Sequence, residues 1–420
     1  MKRTVDLIYF NAGGGHRAAA QALEEVIRMQ GRPWRVRLVN LFEVLDARGV
    51  FRKLTGAAPE AYYNQRLARG WTVGLAQELK LLQGLIRLFH PTLVARLAQY
   101  WAQESDGRPD LVVSLVPNFN RALYQAVRTA LPGVPYATVM TDMADLPPHF
   151  WIEPGQRQHI VCGTPHAHAQ ARAAGYCEAD LSLTSGMLLR PSFYAPTGGD
   201  PDAARRALGL EPGVPTGIVM FGGHGSTQML RIARQLPDRQ LIFLCGHNTA
   251  LAERLRALAP AARHAVVGFT QEVARHLRMA DFFIGKPGPG SLSEALQQGL
   301  PVITTCGMGT MPQERYNVQW VQETGVGIVL PSLRQIRPAV ADLMARLPTL
   351  QARVRGLDNR AVFEVPEIFA ALMDRAAQAG ADTSSSTEVC AAANGSGTGA
   401  AALPALAALR GATRWRSRAL

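Results

Sequence analysis

The chain has few cysteines, and nothing in their spacing suggests a metal site or a disulfide framework. The five cysteines are scattered, odd in number and never in a C-x-x-C pair, so neither a zinc site nor a secreted disulfide scaffold is indicated. No uncharged apolar run reaches the roughly 18 residues of a membrane span. Asp6 also interrupts the amino terminus before any apolar run is long enough for a signal peptide. We therefore expect a cytoplasmic chain that does not cross a membrane.

Acidic residues are outnumbered, which favours an anionic partner. Lys and Arg number 44 against 32 Asp and Glu, a formal net charge of +12. The excess is concentrated between Arg28 and Arg108, where thirteen Lys or Arg stand against six Asp or Glu. With 420 residues and 47% hydrophobic content, the chain is long enough to bury two cores.

Short apolar runs alternate with helical patterns, as in doubly wound parallel sheets. Strands are predicted at 4–10, 36–39, 111–116, 136–141, 159–162 and 179–184, and then at 217–221, 241–245, 266–268, 282–284, 302–305 and 327–330. The expected organisation is a first domain 1–195, a Pro- and Gly-rich linker 196–215, a second domain 216–355, a carboxyl-terminal helix 356–380 and a disordered tail 381–420. The fold class predicted is α/β with two Rossmann-like domains facing a cleft.

The first chemical motif is Asn11-Ala12-Gly13-Gly14-Gly15-His16, between a predicted strand and a helix. The glycines permit a tight turn and close approach to a ligand, and the helix start offers N–H groups to an anion. A histidine at this edge of a sheet suits a general base, because its pKa lies near neutrality. The alternative is a tight turn with a solvated histidine. We favour the functional interpretation.

Two further glycine loops follow predicted strands of the second domain. Phe221-Gly222-Gly223-His224-Gly225-Ser226 is either a phosphate contact or a domain turn. The stretch from Lys286 to Leu296 contains Gly288, Gly290 and Ser291 in a loop suited to a diphosphate. Glu294, three residues after Ser291, either forms a capping box or accepts hydrogen bonds from ribose. Asn40 stands where a nicotinamide-binding domain needs an acid, so that class is disfavoured.

Several motifs in this order resemble glycosyltransferase family 28, in particular its monogalactosyldiacylglycerol synthase and diacylglycerol glucosyltransferase branch. The resemblance covers about residues 4–330. It rests on Gly13-Gly14-Gly15-His16-Arg17-Ala18, Thr141-Asp142 with Phe150-Trp151, Gly268-Phe269-Thr270, Gly288-Pro289-Gly290-Ser291 with Glu294-Ala295-Leu296, Gly299-Leu300-Pro301-Val302-Ile303, and Pro312-Gln313-Glu314 with Asn317.

The resemblance implies a GT-B architecture in which the first domain binds the acceptor and the second binds a UDP-sugar. His16 would be the catalytic base, supported by Asp142. The implied donor-binding residues are Gly223, whose loop could contact the donor's phosphates, Phe269 and Thr270 (uracil), Gly288, Gly290 and Ser291 (diphosphate), Glu294 (ribose), and Gln313, Glu314 and Asn317 (sugar loop). The acceptor side would comprise Gly14, Gly15, Phe150 and Trp151, although the two aromatics could equally be core residues. No cofactor or metal is expected, the UDP-sugar being a co-substrate.

Residues 71–101 form a candidate membrane-docking segment. Leu75, Leu79, Leu82, Ile86 and Phe89 recur at helical spacing, with Lys80, Arg87 and Arg96 nearby. Such a basic amphipathic helix can lie in the headgroup region of an anionic membrane. The alternative is a helix packed on its own domain. Together with the basic stretch and the resemblance, the pattern favours an anionic membrane surface as partner, and no nucleic acid is expected.

The function predicted is an inverting glycosyltransferase that moves a hexose from a UDP-sugar to a lipid acceptor such as diacylglycerol, at the inner face of the cytoplasmic membrane. Two alternatives stay open. A sugar-nucleotide epimerase of related fold would need acids for C–H abstraction, and the Gln313-Glu314 pair gives one carboxylate. A UDP-sugar-binding protein without catalysis would not need His16.

Overall fold

The computed structural model describes residues 2–11, 15–46, 49, 75–196, 198–258, 262–307 and 310–393. The chain divides into two compact units, Met1–Ala376 and Ala377–Leu420. The first unit holds both sheets and the candidate site.

The first sheet has six parallel strands in the order β2-β1-β3-β4-β5-β6. Both faces of the sheet are covered, which is why its central strands β3, β4 and β5 are buried along their whole length and read as continuous apolar runs. The strands are β1 Arg3–Tyr9, β2 Trp34–Asn40, β3 Leu111–Ser114, β4 Tyr136–Val139, β5 His159–Cys162 and β6 Leu181–Leu183.

The second sheet also has six parallel strands, in the order β12-β11-β10-β7-β8-β9. Its strands are β7 Thr216–Met220, β8 Gln240–Leu244, β9 His264–Val267, β10 Phe282–Gly285, β11 Val302–Thr305 and β12 Gly327–Leu330. All twelve predicted strands are present, and the predicted α/β class with two doubly wound parallel sheets is confirmed.

The described helices connect successive strands and cover both faces of each sheet. They are α1 Gly15–Met29, α2 Leu41–Leu45, α3 Leu75–Leu88, α4 His90–Gln99, α5 Asn120–Ala130, α6 Pro165–Ala173, α7 Pro201–Ala207, α8 Gln228–Gln235, α9 Thr249–Arg256, α10 Val273–Arg278, α11 Pro289–Gln297, α12 Arg315–Thr324, α13 Ile336–Ala345, α14 Leu347–Arg355 and α15 Ala361–Ala393. A π-helical turn, Tyr100–Glu104, follows α4. No helix in the described ranges is long and apolar enough to cross a membrane.

The two segments outside the sheets pack on opposite domains. In the expected linker, Arg205 of α7 donates to the Met279 carbonyl (2.8 Å) and to Asp281 (2.9 Å), so this segment is fastened to the second domain. In α15, Val362, Val365 and Phe369 pack into the core of the first domain instead. The chain therefore crosses back to its first domain after completing the second.

The end of α15 differs from the sequence expectation. The helix was expected to end at residue 380, but it continues to Ala393. The reason lies in the composition of residues 381–393, where Ala, Ser, Thr and Glu are interrupted by neither Gly nor Pro, so nothing stops the helix. The rest of the expected disordered tail lies outside the described residues.

The strand orders reverse at one point in each sheet, between β1 and β3 in the first and between β7 and β10 in the second. Ligands of open parallel sheets bind outside the carboxyl ends of the strands at such points. The loop from Phe10 to Gly15 follows β1, and the loops beginning at Phe221 and Lys286 follow β7 and β10. The topology thus brings all three glycine motifs to the two ligand-binding edges.

Candidate active site

One cleft joins the carboxyl edges of the two sheets. Its volume is about 1080 Å³, and its walls come from both domains, including Thr141 of the first and Lys286 of the second. Many of the residues predicted to bind the substrates line it: Gly15, Gly223, Phe269, Thr270, Gly288, Gly290, Ser291, Glu294 and Glu314.

The other predicted residues do not form the cleft wall. They are Phe150 and Trp151, together with four residues that lie within three positions of a lining residue in sequence: His16, Asp142, Gln313 and Asn317. Gly14 lies outside the described residues. The predicted residues therefore divide into a group that lines the cleft and a group that does not.

His16, the second residue of α1, is half-buried and follows the cleft-lining Gly15. Its Nδ1 lies 3.0 Å from Thr141 Oγ1, and its ring packs against Phe10 and Trp151 at centroid distances of 6.3 and 6.0 Å. Burial lowers the pKa of His16 to about 4, although a hydrogen bond with the Leu115 backbone opposes the shift. The imidazole is therefore neutral at physiological pH, as a proton acceptor must be.

Asp142 is buried and is held by an aromatic residue. Its Oδ2 accepts a hydrogen bond of 2.9 Å from Trp151 Nε1. Burial raises the pKa of Asp142 to about 7, and the nearby Glu314 carboxylate raises it further while Lys286 and the Trp151 hydrogen bond lower it. Because Glu314 and Lys286 belong to the second domain, Asp142 lies close to the boundary between the two domains. Asp142 is linked to His16 through Trp151, whose indole N–H bonds to Asp142 and whose ring packs against His16.

Phe150 and Trp151, predicted either for the acceptor side or for the core, are both buried. Phe150 is 6% exposed and Trp151 is fully buried. Asp145 fixes the segment, since its Oδ1 accepts from the Trp151 N–H at 2.6 Å and its Oδ2 from the His149 N–H at 2.9 Å. Both aromatics belong to the interior of the first domain, where Trp151 orients Asp142.

The glycine loop after β10, predicted to bind a diphosphate, leads into α11. The helix N-cap is Gly288, which makes no side-chain cap, and Pro289 occupies the first turn. Ser291 therefore lies inside the helix, so a capping box between Ser291 and Glu294 is ruled out. The N–H groups of a first helical turn lack partners within the helix, and Gly290 and Ser291 present this turn to the cleft.

Glu294 is the acid of this loop. It lines the cleft, and no hydrogen bond from any described residue reaches its carboxylate. Burial raises the pKa of Glu294 to about 7, partly offset by the positive charge of Arg190. Glu294 is only half-buried, so its carboxylate is open to the cleft and can accept hydrogen bonds from hydroxyl groups of a ligand.

Lys286 connects two of the loops. Its ammonium lies 3.0 Å from Glu314 Oε1. A Cβ placed on Gly288 would lie 3.2 Å from Lys286 Cε and 3.4 Å from Glu314 Oε1, and one on Gly222 would lie 3.8 Å from Lys286 Cε. Glycine at 288 therefore allows the side chains to approach the backbone closely. Glu314, which is expected to contact sugar hydroxyls, forms an ion pair with this lysine.

Asn317 packs in the interior next to the turn that holds Gln313 and Glu314. This position differs from the contact with the donor that was expected for Asn317. Asn317 is fully buried, and its Nδ2 donates to the Pro287 carbonyl at 2.7 Å. It positions the Lys286 loop instead of lining the cleft. Gln313 lies in a short 3-10 turn before α12, with its Nε2 3.6 Å from Met311 Sδ.

Three residues of the site were not predicted from sequence. His247, after β8, stacks on Phe269 with ring centroids 4.0 Å apart, and Phe269 is 58% exposed. The pair forms an aromatic platform beside Thr270. Arg190 approaches Glu294 from the segment between the domains, and Thr141 contacts His16. Their positions after parallel strands were visible in the sequence, but their side-chain directions were not.

In the described part of the chain, no group of three or more His, Cys, Asp or Glu residues is arranged to hold a metal ion. Two facing Rossmann-like domains, with glycine loops at both switch points lining one cleft, define a GT-B protein. No protein-family model matches the chain.

Individual proteins specify the class further. The chain is 27% identical to the probable monogalactosyldiacylglycerol synthase 2 of Oryza sativa subsp. japonica over 81% of this chain and 73% of that protein. It is 26% identical to monogalactosyldiacylglycerol synthase 1 of Arabidopsis thaliana, again over 81% of this chain, but spans only 64% of that protein. The expected resemblance to this branch of glycosyltransferases is confirmed.

Solved structures show the same fold. Acinetobacter baumannii MurG superposes with a TM-score of 0.54 at 14% identity, covering 88% of this chain and 99% of MurG. The calicheamicin glycosyltransferase CalG4 gives a TM-score of 0.57 at 16% identity over 89% of this chain and 99% of CalG4. The GT-B fold is confirmed, and with the named relatives so is the expected class of enzyme, a glycosyltransferase.

Proposed function

We propose that this enzyme transfers a hexose from a UDP-sugar to a lipid acceptor such as diacylglycerol, with inversion, at a membrane surface. The observation that carries the proposal is the composition of one cleft. A half-buried histidine adjoins its first-domain wall, and its second-domain wall holds a helix N-terminus and a carboxylate, Glu294, that accepts no hydrogen bond from the described residues.

The second domain would hold the nucleotide. The Phe269–His247 platform and the Thr270 backbone suit a planar base, and Glu294 suits the two hydroxyls of ribose. The first turn of α11, with Lys286, suits the diphosphate because helix N-termini and cations stabilise anions. Gln313 and Glu314 would receive the sugar. No cofactor or metal is required by this scheme.

The reaction would be a single displacement. His16 takes the proton of the acceptor hydroxyl as its oxygen forms a bond to the anomeric carbon. The bond between that carbon and the β-phosphate oxygen breaks, and its electron pair leaves with UDP. The α11 N-terminus and Lys286 stabilise the developing negative charge. One displacement inverts the anomeric configuration.

The lipid acceptor is supported by α3. Its inner face packs on the first domain through Leu79 and Ile86. These two residues of the predicted apolar stripe therefore pack on their own domain. The outer face is apolar as well: Leu81, Leu82, Leu85, Leu88 and Phe89 are 64%, 40%, 43%, 71% and 54% exposed.

This outer face, named here the leucine face, carries exposed basic neighbours, Lys80 and Arg87. An apolar face bordered by cations suits the headgroup region of an anionic membrane. Residues 71–74 of the candidate segment lie outside the described residues. We propose peripheral attachment to the inner face of the cytoplasmic membrane through this face.

The test is a transfer assay with the full chain. The pure protein is incubated with labelled UDP-galactose, UDP-glucose or UDP-N-acetylglucosamine, with and without diacylglycerol in anionic vesicles. Label in the lipid fraction, dependent on diacylglycerol, supports the proposal. Conversion of the free nucleotide sugar would instead establish an epimerase, and tight binding without either product would establish a binding protein. Both of the last two results overturn it.

A further inference from the structure

The hydrogen-bond partner of the proposed base is a hydroxyl group, although an acid is adjacent in sequence. Thr141 Oγ1 lies 3.0 Å from His16 Nδ1. The next residue, Asp142, directs its Oδ2 to Trp151 Nε1 at 2.9 Å. Thr141 follows β4 and lines the cleft, so the contact with His16 is formed at the cleft wall.

The direction of this hydrogen bond decides whether His16 can act as a base. A neutral imidazole carries one proton, and the partner of one ring nitrogen fixes which nitrogen holds it. If Thr141 accepts from Nδ1–H, Nε2 keeps its lone pair. If Thr141 donates to Nδ1, the proton sits on Nε2 and the ring cannot take a proton there.

The charged groups nearby do not replace Thr141. Arg17, the next residue of α1, directs Nη1 toward Asn11 Oδ1 at 3.5 Å. Asp142 is bound to Trp151, and the Lys286–Glu314 pair lies in the second domain. The Leu115 backbone can only accept from the ring, because its N–H donates to the Ile8 carbonyl, and this contact favours the protonated ring.

We propose that Thr141 is a positioning residue that accepts a hydrogen bond from His16 Nδ1, which leaves Nε2 as the atom that receives the acceptor's proton. This inference rests on the proposed role of His16. A hydroxyl orients the ring without the negative charge that would favour its protonated form. The neutral base is thereby kept in one tautomer.

The experiment compares Thr141→Val, which keeps the shape and removes the hydroxyl, with Thr141→Ser, which keeps the hydroxyl. Thr129→Val is the matched control, because Thr129 is an exposed helical threonine whose hydroxyl bonds only to the Gln125 carbonyl. Long-range 1H–15N spectra of the 15N-histidine-labelled full chain report the tautomer, with His16 assigned from its loss in His16→Gln. Transfer rates are measured in parallel.

The expected wild-type spectrum has His16 protonated at Nδ1 and unprotonated at Nε2. Thr141→Val is expected to mix the tautomers and lower kcat about 100-fold with the donor KM nearly unchanged, whereas Thr141→Ser recovers most of the rate. A wild-type proton on Nε2, or a Thr141→Val protein with unchanged spectrum and rate, would overturn the inference.

The two proposals fail in different ways. A wild-type chain that transfers no sugar to lipid contradicts the proposed function, while the spectrum still decides the tautomer because it requires no turnover. A variant that melts at a lower temperature than Thr129→Val by several degrees is replaced by Thr141→Ser and Thr141→Cys, whose side chains differ in hydrogen-bonding strength at similar volume. Equal tautomer populations in those two variants would also count against the inference.

Discussion

The Lys286 ammonium lies 3.0 Å from Glu314 Oε1 and so joins the loop after β10 to the turn after β11. The Glu314 side chain is 6% exposed and that of Lys286 is 35% exposed. The pair stands beside the diphosphate loop, at the level of the first turn of α11. Lys286 is therefore placed both to balance Glu314 and to meet the charge of a donor.

Substitutions that break the Lys286–Glu314 pair should affect the free energy of unfolding and the UDP-sugar affinity differently. Lys286→Met leaves the buried Glu314 carboxylate unpaired, so we expect a loss of about 1–3 kcal/mol in the free energy of unfolding. Adding Glu314→Gln should restore much of that loss without restoring UDP-sugar affinity. Urea denaturation and calorimetric titration of the wild type, both single variants and the double variant measure the two effects. Additive losses of stability would contradict a direct pair.

Glu294 should bind the nucleotide without stabilising the helix. Because Gly288, not Ser291, caps α11, Glu294→Gln should leave the melting temperature unchanged or raise it. UDP affinity should fall about 10-fold to 100-fold, as for the loss of hydrogen bonds to a charged group. Glu272→Gln, which alters a surface ion pair with Arg275, is the control. If both variants bound UDP equally, Glu294 would have no role in the nucleotide site.

The leucine face of α3 should govern attachment to vesicles. Leu85→Glu with Leu88→Glu places charge on side chains that are 43% and 71% exposed, so the fold should persist. Partitioning to anionic vesicles should fall at least about 10-fold, because two apolar side chains no longer enter the headgroup region. Vesicle sedimentation provides the measurement. Leu183→Glu, at a residue 49% exposed on β6, should leave partitioning unchanged. Equal binding by all three proteins would exclude the leucine face.

The raised pKa of Asp142 predicts a pH-dependent stability difference. Burial raises it from 3.8 to about 7, so between those values the folded protein holds a proton that the unfolded chain has lost. Stability from this group therefore falls as pH rises through that window. Relative to Asp142→Asn, the wild type should lose about 1–2 °C of melting temperature per pH unit below pH 7, and the difference should level off above it. Thermal melts at pH 5, 6, 7 and 8 measure the difference, and a constant difference would refute the shift.

Much of the fold followed from local pattern. Strands such as β3 and β10 are buried on both faces and short, so their apolar runs were recognisable, and the glycine loops after β1, β7 and β10 mark where the chain turns toward a ligand. Glu294 was recognised as a carboxylate one turn into a helix. To decide whether Glu294 caps the helix or is free to bind a ligand, the position of the N-cap was needed. That position depends on Pro289 and not on the spacing of Ser291.

The errors concern side-chain direction, which spacing does not determine. Trp151 was indistinguishable in sequence from a cleft aromatic because its burial results from Asp145 closing its own loop. Asn317 faces Pro287 because α12 packs against the loop after β10, a long-range contact. Thr141 was noted only as part of a motif, since its role depends on the distance to a ring 125 residues earlier in the chain.

The central claim is that sugar transfer to a lipid depends on His16 acting as a base. The most direct test is the initial rate of label transfer from the preferred UDP-sugar to vesicle-borne diacylglycerol by the wild type and by His16→Ala, at saturating donor. The wild type should form glycolipid, and His16→Ala should be slower by about 100-fold or more while binding UDP with unchanged affinity. A His16→Ala protein that transfers sugar to diacylglycerol at the wild-type rate would contradict the account.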